Sequence, residues 1–138
     1  MTFRYLKDPL FLFCVVLYFV NRLVFKPLIH GGIVGAIVHG SVNDLICLPF
    51  WIPIMLWMMK MFGWRTSDKP PQAAEILLPL LCWSWYFELV LPKVAYFKRV
   101  AFSDPNDILC YTIGACVAAL FWNYYYSRPT KTATSENI

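Results

Sequence analysis

The segment that most constrains this chain runs from Pro105 to Tyr126, 22 residues in which Asp107 is the only charge. As a helix it would measure about 33 Å at about 1.5 Å per residue, enough to cross a hydrocarbon core of about 30 Å. Its start carries helix grammar. Asp104 fits an N-cap, and Pro105 the first helical position, where a missing N–H costs nothing. Asp107 fits the third position, near free N–H groups and the positive end of the dipole. Asp107, Tyr111, Gly114 and Ala118 recur on one face. Gly114 and Ala118 form a small-xxx-small pair that lets another helix come close. Trp122 and Tyr124 to Tyr126 suit an aromatic belt at the far interface.

Composition agrees with a lipid setting. Hydrophobic residues make up 59% of the chain and charged ones 14%, against about 25% in ordinary soluble domains. A soluble domain of 138 residues could not hide that much apolar surface, so a single membrane domain over residues 1–127 is expected. The five cysteines all fall in apolar segments and form no CxxC, which reads as free thiols packed as small hydrophobes. A net charge of +4 suits contact with anionic lipid and is too dispersed for a nucleic-acid surface.

The predicted fold is all-α: a polytopic bundle of four transmembrane helices at about 5–25, 43–62, 73–97 and 105–126. The first resembles a signal peptide, but Asn21-Arg22 stands where small residues should mark cleavage, so it is read as an uncleaved helix with Arg4 and Lys7 snorkelling. Leu28 to Gly40 is too short to span, carries four glycines and both histidines, and is expected to be re-entrant or interfacial. Ser41 or Asn43 can cap the second helix and Gly63 can stop it. Pro49 and Pro53 take the donors from the carbonyls of Leu45 and Pro49 and predict a kink. Residues 64–72 form a polar connection. In the third helix, Pro92 frees the carbonyl of Glu88, itself an acid at membrane depth. Residues 128–138 form a polar tail, expected to be disordered.

Four crossings would bring Asn21, Arg22, His30, His39, Asn43, Asp44, Glu88, Lys93, Asp104, Asn106 and Asp107 to one membrane face. Candidate ligand-binding residues there are Asp44, Glu88, Asp104, Asp107, Asn43, Tyr111, Arg22 and His39. Simpler roles exist for most of them. Asp44, Asp104 and Asp107 suit helix caps, and the histidines suit the interface. Glu88 is different, because an ionised carboxylate in lipid costs about 2.5–3.5 kcal/mol and must face the bundle and find a partner such as Arg22 or Lys93, or carry a proton. No catalytic motif is present; the acids and histidines could hold a divalent metal or act as acid and base on a headgroup, but their spacing specifies neither, and no metal or cofactor is expected.

Glu88 followed by Asp107-Ile-Leu-Cys-Tyr-Thr-Ile-Gly-Ala resembles the C-terminal half of VanZ-like membrane proteins. Tyr111 stands where that family usually has Asn, and the Glu-to-Asp interval is longer than usual. The resemblance implies a small cell-envelope membrane protein with Glu88 and Asp107 as site residues. Some relatives confer resistance to a lipoglycopeptide antibiotic, and for most the activity is undefined.

Several functions fit. The leading one is an envelope protein that binds a polar or cationic group, such as a lipid or glycolipid headgroup, at the acidic face. A proton-coupled transporter would use the broken helices and would have to oligomerise. An accessory subunit would dock on a larger membrane complex through Gly114 and Ala118. An enzyme acting on headgroups is a further class. Seven Lys and Arg fall on the side of the termini and five on the other, which predicts cytoplasmic termini in a bacterial inner membrane.

Overall fold

The computed structural model describes residues 2–94 and 105–127. Among the described residues the fold has four main helices: α1 (Pro9–Leu28), α2 (Gly32–Met61), α3 (Ala73–Trp85) and α4 (Pro105–Ser127). No strand occurs among the described residues. α1, α2 and α4 are long and apolar enough to cross a membrane. α3 is shorter and continues through a wide turn at Tyr86–Val90 and a tight one at Leu91–Lys93. The outer surface agrees with a lipid environment: Leu23, Leu28, Ile33 and Leu120 are 69, 74, 81 and 70% exposed.

Two helix starts differ from expectation. α1 begins at Pro9 rather than near residue 5, because Asp8 adopts an extended backbone and accepts the Phe11 N–H through its carboxylate. Tyr5–Lys7 forms a separate tight turn before it. α2 begins at Gly32 rather than Asn43, so the glycine-rich stretch is helical and continuous with the second apolar helix. Ser41 caps nothing. The result is a helix of 30 residues, about 45 Å long, which exceeds a hydrocarbon core by several turns. Gly63, at φ 74°, ends it in the left-handed conformation that glycine tolerates. Gln72 and Glu75 open α3 with a capping box.

The core is a seam between α2 and α4. Leu48, Ile52 and Leu56, one turn apart on α2, are wholly buried against Tyr111, Ala115, Ala118 and Trp122 of α4. The seam is tight because of one pairing. Pro49 removes the usual donor from the Leu45 carbonyl, and that carbonyl lies against Gly114. A Cβ on Gly114 would collide with the Leu45 oxygen and sit 3.5 Å from the Pro49 ring. The orphaned carbonyl therefore meets a residue with only Cα hydrogens to offer. The small-xxx-small face expected for an outside partner is thus occupied by α2 of the same chain.

Successive helices run in alternating directions. One end collects the start of α1, the end of α2, the start of α3 and the end of α4, as bonds from Arg65 to Tyr5, from Arg65 to Glu75 and from Trp122 to Asp8 require. The other end holds the α1–α2 turn, the end of α3 and the start of α4. The two are called here the terminal end and the turn end.

Candidate functional site

The terminal end contains two polar knots. In the first, Asp8 has no exposed surface. Its Oδ1 accepts the Phe11 N–H at 3.0 Å and the Trp122 indole N–H at 3.0 Å, and its Oδ2 accepts the Tyr126 hydroxyl at 2.7 Å. Phe3, 2% exposed, packs edge-on against Trp122, Tyr126 and Tyr5 and lids the knot. In the second, Arg65, 7% exposed, forks onto Glu75 at 2.8 and 3.2 Å. It also donates to the Tyr5 hydroxyl and to the carbonyls of Ser67, Lys69 and Pro70. Asp68 pairs with Lys60 and accepts the Tyr5 hydroxyl. The Lys60 ammonium, helped by that hydroxyl, holds the Asp68 carboxyl below its usual range. Both knots have donors and acceptors matched, which is what a structural clamp needs.

The turn end is built differently. Three wide backbone turns lie there, at Asn21–Phe25, Ile37–Ser41 and Tyr86–Val90, each with an N–H bonded five residues back. Such turns often mark functional sites. Two of them have a local cause. Lys26 and Leu91, whose N–H groups make the long bonds, each precede a proline, Pro27 and Pro92. A proline cannot donate the next helical bond, and the wider spacing accompanies that loss at both places. The third has a tertiary cause. The Val42 N–H would normally reach the Val38 carbonyl but goes to Ile37 instead. The Val38 carbonyl is taken by Asn21 Nδ2 at 3.1 Å.

Asn21 is the centre of this end. It is wholly buried, and its Nδ2 also donates to Asn43 Oδ1 at 3.0 Å. Donating to the Val38 carbonyl fixes which way the amide points. Its Oδ1 then faces the other way, buried and without a donor among the described residues. Nearby, Lys26 donates to the His39 carbonyl at 3.0 Å, and His39 Nε2 lies 3.0 Å from the Ile29 carbonyl. The His30 and His39 rings sit 5.9 Å apart.

Of the eight candidate residues, the structure brings Asn43 into direct contact with Asn21, and places His39 on the same wide turn as the Val38 carbonyl. Asp44 neighbours Asn43 and is half-buried. Tyr111 and Asp107 lie one and two turns before Gly114, which abuts Leu45, so they share this end. Asp44, Asp107 and Tyr111 each have an interaction partner, and Tyr111 is buried. Arg22 is exposed. Glu88 has its backbone in the third wide turn, while Asp104 lies outside the described residues, as do Lys98, Arg99 and the tail. No group of three or more metal-ligating side chains occurs among the described residues.

Sequence reasoning missed two things. It placed Asn21 in the polar cluster but not among the site residues, although an amide six residues before a proline in an apolar segment was a usable signal. It also missed Asp8, whose Asp-Pro start repeats that of Asp104-Pro105. No family model matches this chain, and neither a curated protein nor a solved structure does.

Proposed function

We propose that this chain is an integral membrane protein whose four helices cross the bilayer and whose turn end binds a polar or cationic group, with a lipid or glycolipid headgroup as the leading class. The observation that carries the reading is Asn21 Oδ1. A buried amide oxygen without a donor costs on the order of 1–3 kcal/mol, so a fold keeps one where something else supplies the hydrogen. An ammonium, hydroxyl or amide group of a ligand would do so. Asp44 and Asp107, at the same end, would supply negative charge, as would be expected of a VanZ-like envelope protein. α3 with its two extra turns reaches about 31 Å, which suits a fourth crossing.

The test is native mass spectrometry of the protein released from mild detergent. Wild type should carry a co-purified adduct that the Asn21→Leu and Asp107→Asn variants lose while keeping their abundance. Identical adducts on all three proteins would refute the reading.

A further inference from the structure

We infer that the terminal end carries a second, separate site: a basic rim of Arg4, Lys7 and Lys69 that holds the headgroups of anionic phospholipids. Two backbone hydrogen bonds bring these three residues together. The Phe3 N–H donates to the Asp68 carbonyl at 2.7 Å, so Arg4 and Lys69 each sit one residue from the same bond. The Lys7 N–H donates to the Arg4 carbonyl at 2.9 Å, closing the turn that sets Lys7 beside Arg4. All three side chains are exposed.

What makes the rim a site is the absence of acid to answer it. The described part of this end has three acids, and each is already used. Asp8 is buried under Phe3 and bonded to Trp122 and Tyr126. Asp68 is paired with Lys60, and Glu75 with Arg65. Arg4, Lys7 and Lys69 have no carboxylate partner among the described residues. The clamp that consumes the acids is thus also what leaves three positive charges facing outward. The same end exposes apolar and aromatic side chains, Phe62 and Trp64 just past α2 and Tyr124 on the last turn of α4. Aromatic rings of this kind settle at headgroup depth. Cations at that depth next to an anionic leaflet gain about 1 kcal/mol each, about fivefold in association. Phosphodiester headgroups supply the matching charge, and arginine takes them in a fork.

This inference rests on the membrane reading above and not on the turn-end site. The experiment exposes the purified full chain in detergent to an equimolar mixture of phosphatidylglycerol and phosphatidylcholine and counts retained lipids by native mass spectrometry. Wild type should retain phosphatidylglycerol preferentially, and 0.5 M salt during exposure should erase the preference. Each of Arg4→Gln, Lys7→Gln and Lys69→Gln should lower it about fivefold. The uncharged control Thr66→Ala, exposed at the same end, should leave it unchanged. Equal retention of both lipids by wild type, or a preference that survives in the triple variant, overturns the basic rim. Release of the chain from membranes by alkaline carbonate would instead overturn the membrane reading beneath it.

Discussion

The two ends of the bundle use polar groups in opposite ways. At the terminal end, Asp8, Arg65, Glu75 and Asp68 all have partners, and the geometry ties chain segments more than 50 residues apart. At the turn end, the helices are loosened by three wide turns, and a buried amide oxygen has no donor among the described residues. Matched networks fix a fold, while an unmatched group at depth holds capacity in reserve. Matched polar networks and an unmatched polar atom are thus separated along the bundle, with the Gly114–Leu45 contact between them.

That contact offers the largest effect. Gly114→Ala places a methyl against the Leu45 carbonyl, and α2 and α4 must part. The expected loss is about 3 kcal/mol, at the top of the range for overpacking, and it should disturb both ends together. Unfolding in mixed micelles reads it. Arg65→Met strikes the terminal end alone. It strands Glu75 and three carbonyls in a half-buried loop, and about 2 kcal/mol should be lost with turn-end adducts unchanged. Tyr126→Phe removes one of three donors to Asp8 and should cost about 1 kcal/mol in the same assay.

The smallest effect is on pH dependence. Asp68 titrates below its ordinary value of 3.8 in the folded chain, so its contribution is complete above that value. It is lost as pH falls through the depressed folded value. Asp68→Asn should flatten the acid limb of the stability profile below about pH 4 and leave neutral-pH stability little changed, because the pair is exposed. An unaltered acid limb would remove Asp68 from the clamp.

How much of this was legible in the sequence follows from range. The apolar lengths announced the helices, and Gly63 and Pro105 marked ends by local chemistry alone. The Gly114 contact was half legible: the spacing showed that some helix would approach, and Pro49 showed that Leu45 would lack a donor, but nothing local joined the two. The start of α2 was misread because glycines and a length of thirteen residues suggested a break, whereas continuity with the following helix carries Gly32 to Ser41 along. The Tyr5–Arg65–Glu75 and Asp8–Trp122–Tyr126 knots join residues by topology and leave no local trace. For the site, the shared end of Asn43, His39, Asp44 and Asp107 followed from counting crossings. The role of Asn21 did not, because it depends on which carbonyl the neighbouring helix gives up.

The contrast between the ends is tested most directly by unfolding Asp8→Leu and Asn21→Leu side by side in the same micelles. Asp8→Leu should lose about 3 kcal/mol, since three donors are left without an acceptor. Asn21→Leu should change stability by less than about 1 kcal/mol, because an unmatched oxygen leaves with it and the Val42 N–H can take back the Val38 carbonyl. Equal losses from the two variants would contradict the account.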